Sequence, residues 1–191
     1  TWAILLGPWV AAATGLGLVL AWAYSAPPLR LKMNGWWGNS AVAISYEGLA
    51  WITGAAIVIG GDLPAEPILL IALLYSIGAH GIMTLNDFKS VEGDLAMGIR
   101  SLPAQLGPTR AARVACLFML LPQLIVILLL VRWGLMPSAL AVSLMVVAQL
   151  LAMRKLLRDP KQFAPWYNAT GVSLYVLGMM AVAIGLGGWL A

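Results

Sequence analysis

Residues 67–85 read PILLIALLYSIGAHGIMTL, an apolar run without Asp, Glu, Lys or Arg. A transmembrane helix needs about 20 consecutive apolar residues, and a helix satisfies its own backbone hydrogen bonds in lipid. This stretch therefore predicts a membrane-spanning helix. The polar segment from Asn86 to Arg100 follows it directly, so the predicted helix ends in a charged connection.

Five further apolar stretches lie on both sides of this run. The six predicted spans cover residues 2–23, 38–59, 67–85, 111–131, 137–153 and 167–190. Hydrophobic residues make up 62% of the chain and charged residues only 9%, whereas soluble domains carry about 25% charged residues. We therefore predict an all-α integral membrane protein in the lipid bilayer, with residues 1–191 as a single transmembrane domain, and we expect no nucleic-acid partner.

The basic residues are distributed unequally between the two ends of such a bundle. Six spans place ten of the eleven at the end that holds the first, third and fifth connections. These ten are Arg30, Lys32, Lys89, Arg100, Arg110, Arg113, Arg154, Lys155, Arg158 and Lys161. The opposite end has only Arg132, together with Asp62 and Glu66. The positive-inside rule predicts that the basic end faces the cytoplasm.

The third connection concentrates acidic side chains. Asp87, Glu92 and Asp94 are three of the seven acidic residues in the chain, and on a continuous helix Asp87 and Asp94 would share a face. Clustered carboxylates repel one another without a cation, and Mg²⁺ commonly bridges carboxylates to phosphates. The neighbouring Lys89 and Arg100 are suited to holding phosphate oxygens. A solvated loop of mixed charge explains the same pattern equally well.

Other polar residues near this end are candidates with simpler alternatives. Arg30 and Lys32, in the first connection, either complete an anion site or are ordinary positive-inside residues. Glu47 lies near the middle of the second span, where a charge is costly, so it is expected to face the bundle interior. His80 either binds a pigment metal or substrate carboxylate or only packs between helices.

Several segments together resemble the UbiA-type intramembrane prenyltransferases, in the branch that esterifies chlorophyll-type pigments. The segments are residues 24–32 (YSAPPLRLK), 35–38 (GWWG), 46–48 (YEG), 78–89 (GAHGIMTLNDFK), 92–94 (EGD), 100–103 (RSLP), 157–161 (LRDPK) and 164–168 (APWYN). The resemblance implies a bundle of nine helices, around a central cavity, in which two aspartate-rich motifs bind Mg²⁺ and a prenyl diphosphate. The six spans would then match family helices four to nine.

The resemblance also assigns roles to individual residues. Asn86 to Asp94 matches the second aspartate-rich motif, which makes Asp87, Glu92 and Asp94 the expected catalytic and metal-binding residues. The expected diphosphate-binding residues are Asn86, Arg30, Lys32, Lys89 and Arg100. Tyr24, Glu47 and His80 are the candidates for the acceptor pocket.

The implied reaction transfers a geranylgeranyl or phytyl group from its diphosphate to the propionate carboxylate of bacteriochlorophyllide. The expected location is the cell inner membrane or a photosynthetic intracytoplasmic membrane, where photosynthetic assembly proteins are possible partners. A prenyltransferase acting on another acceptor, such as a quinone precursor, remains an alternative, as does a non-catalytic pigment-binding or assembly subunit.

The first aspartate-rich motif of the family has no counterpart here. No aspartate precedes Asp62, so the resemblance implies that about the first third of a full protein is missing. The second motif also departs from the usual spacing of its two aspartates. Glu92 or Asp94 must replace the second one, and the sequence does not decide between them.

Overall fold

The computed structural model describes residues 2–190, and its regular structure is helical. The α-helices are α1 (Trp2–Leu5), α2 (Pro8–Ser25), α3 (Gly35–Ala43), α4 (Leu49–Val58), α5 (Glu66–Asn86), α6 (Val91–Ala96), α7 (Leu102–Leu106), α8 (Pro108–Arg132), α9 (Met136–Arg158) and α10 (Pro160–Leu190). Two 3₁₀ turns, Leu31–Met33 and Asp87–Lys89, and one π-helical turn, Ile44–Gly48, join some of them. Thr1 and Ala191, the ends of the predicted domain, lie outside the described residues.

Within the described residues, six helical segments are long and apolar enough to cross a membrane, which confirms the predicted number of spans. They are Pro8–Ser25, Gly35–Val58, Glu66–Lys89, Pro108–Arg132, Met136–Arg158 and Pro160–Gly188. The second of these combines α3 and α4 with the π-helical turn between them. The predicted all-α membrane fold is therefore confirmed.

Prolines and glycines set several helix boundaries, and some boundaries differ from the prediction. The first span does not run unbroken from residue 2, because Gly7 adopts φ 125° and Pro8 starts a new helix. Proline lacks the N–H that a continuing helix needs but fits the first helical turn. Towards the other end of the chain, α9 continues to Arg158 rather than ending near residue 153, and α10 starts at Pro160 rather than near residue 167. The fifth connection therefore shrinks to Asp159.

Helix α5 forms the centre of the bundle and packs against α3, α8 and α10. Small residues allow this close contact, as is common between membrane helices. A methyl group added at Gly81 would collide with the Ala115 carbonyl oxygen, and one at Gly78 would collide with the Tyr175 hydroxyl. The central helix thus carries the acidic segment at its end on a rigid, buried support.

Candidate functional site

The first and third connections are joined through their backbones. Asn34 and Arg100 form an isolated parallel bridge, in which Arg100 N–H donates to Met33 O at 3.0 Å and Gly35 N–H donates to Arg100 O at 2.7 Å. Gly35 is required here, since an added Cβ would lie 2.5 Å from Leu102 N. The structure therefore brings together two connections that the charge pattern assigned to the same end.

Asp87 is half-buried where α5 gives way to a 3₁₀ turn. Asn39 donates its Nδ2–H to Asp87 Oδ2 at 3.0 Å and also contacts Thr84 Oγ1 at 3.4 Å. The backbone N–H of Leu102, at the start of α7, also interacts with the Asp87 carboxylate. The hydrogen bond from the second span thus orients this side chain.

Asp94 is buried on α6, with 8% of its surface exposed. The Ser90 hydroxyl donates to its Oδ2 at 3.1 Å. The helix is interrupted at Ser90, which has φ −116° and ψ 3°, so the explanation by one continuous helical face is wrong. Asp87 and Asp94 nevertheless lie close enough to interact electrostatically, and Tyr24 interacts with both.

Glu92 lies on the same short helix as Asp94 but is exposed. Within the part of the chain that the structure describes, no group of three or more His, Cys, Asp or Glu side chains is arranged to hold a metal ion. Asp87, Glu92 and Asp94 are therefore not gathered into one three-ligand set. The structure distinguishes two fixed, sheltered carboxylates from a third that faces solvent.

The two sheltered carboxylates, Asp87 and Asp94, fit a Mg²⁺ ion whose other ligands are water and substrate phosphates. Each has Oδ2 engaged in a hydrogen bond from a neighbouring side chain. Mg²⁺ usually takes one or two carboxylates from the protein and completes its shell with water and substrate phosphates. Asp87 and Asp94 therefore suit this mode of binding and do not form an all-protein cage.

A cavity of about 610 Å³, here called the polar pocket, is lined by Asp94 but not by Asp87. Its charged lining residues are Lys89, Glu92, Asp94 and Lys161. Lys89 is the one cation among the sequence-predicted site residues that lines it. In the sequence, Lys161 belongs to the charge asymmetry and to the segment 157–161 of the resemblance but was not predicted as a site residue, because a lysine in a polar connection has no distinctive signal.

The remaining predicted diphosphate residues are not among the residues that line the pocket. Arg30 is exposed in the left-handed region, with φ 40°, and Lys32 lies in the 3₁₀ turn that follows. Arg100 contributes its backbone to the bridge with Asn34. Asn86 accepts a hydrogen bond from Asn168 Nδ2 at 2.7 Å, which ties the end of α5 to α10.

The three predicted acceptor residues are not brought together. Tyr24 lies near enough to the two aspartates to interact with them electrostatically. His80 is buried, with Nε2 3.3 Å from the Trp36 carbonyl oxygen and its ring stacked 4.5 Å from that of Phe118. These contacts are those of a histidine that packs between helices.

Glu47 belongs to a different cavity, here called the apolar cavity, of about 660 Å³. Its lining residues are Glu47, Ala50, Trp51, Gly54, Ala55, Val58, Ile59, Ile68, Met179, Ala183, Leu186 and Gly187. Glu47 sits in the π-helical turn between α3 and α4, and such turns occur frequently at functional sites. It is the one ionisable side chain in the lining.

Two asparagines complete the site and were missed in the sequence. Asn39 orients Asp87, and Asn168 binds Asn86. Their signal was a polar amide within a predicted span, which must find a partner inside the bundle. That signal indicates an internal contact but does not identify the partner.

Comparison with known proteins places this geometry in a family. The UbiA prenyltransferase family model matches residues 1–177. The bacteriochlorophyll synthase 33 kDa chain of Cereibacter sphaeroides is 56% identical over 96% of this chain and 61% of its own length. The 34 kDa chain of the same name from Chloroflexus aurantiacus is 51% identical over 96% of this chain and 58% of its own length.

Chloroplastic chlorophyll synthase of Arabidopsis thaliana is more distant, at 41% identity over 88% of this chain and 43% of its own length. The chain thus spans about three fifths of the length of its bacterial relatives. No solved structure matches it. The agreement along almost the whole chain shows that it belongs to the UbiA prenyltransferase family.

Proposed function

We propose that this chain carries the diphosphate-binding half of a membrane prenyltransferase that makes a bacteriochlorophyll ester. The enzyme would transfer a geranylgeranyl or phytyl group from its diphosphate to the propionate carboxylate of bacteriochlorophyllide. The observation that carries this proposal is the polar pocket lined by Asp94, where two lysines and two carboxylates meet just after the end of the central helix. The names of the bacterial relatives supply the pigment.

Asp87 and Asp94 are the proposed Mg²⁺ ligands, with Glu92 as a solvent-facing neighbour. Both are held by hydrogen bonds that leave carboxylate oxygen available for an ion. Bound Mg²⁺ would neutralise the diphosphate and stabilise charge on the leaving group. Asn39 and Leu102 N–H orient Asp87 toward that ion, so their role is to position a ligand.

Basic residues around the pocket would hold the diphosphate oxygens. Lys89 lines the pocket directly, and Arg30, Lys32 and Arg100 belong to the two connections that the Asn34–Arg100 bridge joins. Fixed cations at the site of developing negative charge lower the barrier to departure of the leaving group. Asn86, held by Asn168, keeps the end of α5 in place beside them.

The acceptor needs little activation, because a propionate carboxylate is already ionised near neutral pH. Its oxygen would attack the allylic carbon as the bond to the diphosphate breaks. The apolar cavity is the proposed place for the prenyl chain. Asn39 contacts Asp87, and Glu47, which lines the cavity, follows Asn39 by eight residues, about 12 Å along a helix. The cavity therefore begins within reach of a chain whose diphosphate is bound near Asp87. Tyr24, Glu47 and His80 remain the proposed acceptor contacts, at three different depths.

The basic end of the bundle is proposed to face the cytoplasm, in the inner or a photosynthetic intracytoplasmic membrane. The support is the concentration of ten basic residues there, against Arg132 at the other end. Photosynthetic assembly proteins that approach from the cytoplasm would meet this end.

The direct test is an esterification assay on membranes that contain the natural full-length protein. With bacteriochlorophyllide, geranylgeranyl diphosphate and Mg²⁺, we expect the esterified pigment by chromatography, and no product after chelation of Mg²⁺. Prenylation of 4-hydroxybenzoate instead would support the quinone-precursor alternative. Tight pigment binding without product from any acceptor would support a non-catalytic pigment-binding subunit.

A further inference from the structure

Lys161 occupies a defined position that the sequence did not predict. It lies in the first turn of α10, directly after Pro160. Asp159 Oδ1 accepts a hydrogen bond from Gln162 N–H at 3.2 Å, as an N-cap residue does. The capped helix start fixes the Lys161 backbone, while its side chain is exposed at the rim of the polar pocket.

The face of α10 that carries Lys161 is the one that contacts the acidic segment. Lys161 and Asn168 are seven residues apart, about two helical turns, and therefore share a face. Asn168 donates to Asn86, the residue before Asp87. The contact between α10 and α5 is thus consistent with the place of Lys161 in the polar pocket, which Asp94 also lines.

The polar pocket has cations on two walls contributed by different parts of the chain. Lys89 belongs to the segment that follows α5, and Lys161 to α10. Pro108, at the start of α8, also lines the pocket, so the N-termini of two long helices lie there and favour an anion. Glu92 and Asp94 alone would repel a diphosphate, and cations on both walls oppose that repulsion.

The other cations at the junction of α9 and α10 are directed elsewhere. The Lys155 ammonium lies 4.0 Å from the centroid of the Trp166 ring and 4.9 Å from that of Phe163. Arg158, in the last turn of α9, is exposed and is not among the residues lining the pocket. Lys161 is thus singled out from its basic neighbours by its place in the pocket.

We propose that Lys161 is a diphosphate-binding residue that holds the prenyl diphosphate from the wall opposite Lys89. This inference rests on the proposed function, since it names a further contact to the same substrate. Lysine binds phosphate as a point charge, so the interaction should contribute mainly to binding of the donor head group. The pigment acceptor would not depend on it.

The test compares Lys161→Gln with Arg158→Gln in the natural full-length protein. We expect Lys161→Gln to raise KM for geranylgeranyl diphosphate about tenfold, and the inhibition constant of inorganic pyrophosphate about equally, with KM for the pigment unchanged. Arg158→Gln should change each constant less than about twofold, because an exposed charge outside the pocket contributes little. Lys161→Arg should restore most of the donor affinity.

A second measurement separates this inference from the proposed function. Binding of inorganic pyrophosphate with Mg²⁺ to the purified protein, measured by calorimetry, needs no turnover. If the wild-type protein makes no pigment ester yet Lys161→Gln weakens pyrophosphate binding, the proposed function fails and the inference on Lys161 stands. Wild-type pyrophosphate affinity in a folded Lys161→Gln protein would overturn the inference, whatever the outcome of the pigment assay.

Discussion

The polar pocket and the apolar cavity have almost the same volume, about 610 and 660 Å³, but opposite chemistry. Two lysines and two carboxylates line the polar pocket, whereas Glu47 is the one ionisable residue lining the apolar cavity. The polar pocket lies among short helices and turns at one end of the bundle. The apolar cavity lies between the second, third and sixth spans.

This difference follows from the depth of each region in the membrane. Irregular backbone needs hydrogen-bond partners that lipid does not supply, so it collects at a helix end or inside protein. There the charged groups also reach water. A substrate with a charged head and a long apolar tail matches both regions, which is why we assign the diphosphate to one and the prenyl chain to the other.

The largest expected effect comes from Asp87→Asn, which removes the charge of the carboxylate that Asn39 holds close to Asp94, a lining residue of the polar pocket. Removing the charge weakens binding of Mg²⁺ and diphosphate together, so we expect turnover to fall by about 100-fold or more. Esterification rates at saturating donor, with Mg²⁺ titrated, measure this. Asp62→Asn, an exposed aspartate in the connection after α4, is the matched control and should retain wild-type rates. Wild-type turnover by Asp87→Asn would refute the assignment of the metal site.

A smaller effect is expected from Gly35→Ala, which would displace backbone atoms that lie near the Asp87 carboxylate. The new Cβ would lie 2.5 Å from Leu102 N, and the Leu102 N–H interacts with Asp87, so Leu102 must move. We expect turnover to fall by about tenfold, as for displacement of one positioning group. Gly15→Ala is the control, since its Cβ would meet no described atom within 4 Å. Equal rates for both variants would show that the backbone contact between the first and third connections does not position Asp87.

Trp51→Ala tests the apolar cavity separately from the pocket. Trp51 lines the cavity and stacks on Tyr75 with ring centroids 5.9 Å apart. Removing its apolar surface should raise KM for geranylgeranyl diphosphate about fivefold, while inhibition by inorganic pyrophosphate stays unchanged. Lys161→Gln, by contrast, should weaken inhibition by inorganic pyrophosphate, because it alters the contact to the diphosphate head group. If Trp51→Ala altered pyrophosphate inhibition, the division of the substrate between the two cavities would be wrong.

The smallest expected effect is on stability alone, from Gln123→Leu. Gln123 and Gln149 are fully buried and exchange two side-chain hydrogen bonds, of 3.1 and 3.0 Å, between α8 and α9. The single substitution leaves an amide without its partner and should cost about 1 kcal/mol of unfolding free energy. Thermal unfolding in detergent measures this. The double variant Gln123→Leu/Gln149→Leu should be less destabilised than the sum of the single variants, and both cavities should keep their substrate affinities.

Much of the fold was predictable because hydropathy is a local property. The six spans, and the basic end that contains Lys89 and Arg100, follow from runs of apolar residues and the charges between them. The break at Gly7 and the early start of α10 at Pro160 were missed. A window of hydropathy averages over such residues, although each proline carries the physical signal of a helix start.

The acidic segment was correctly singled out, but for a wrong geometric reason. Residue spacing suggested one helical face for Asp87 and Asp94, whereas a turn at Ser90 brings them near each other. Asn39, which holds Asp87, comes from another span. Such pairings depend on how distant segments pack, and no local pattern encodes them.

The sequence by itself determined that this chain spans a membrane six times, which residues end up at its basic end, and which family it resembles. These properties depend on side chains taken one segment at a time, since lipid selects apolar helices wherever they occur. Only the tertiary structure decided that Lys161 joins Lys89 in the polar pocket, and that Glu47 and His80 are apart from it. The physical reason is that helix packing, through contacts such as Asn168 with Asn86, determines which helix ends share a cavity.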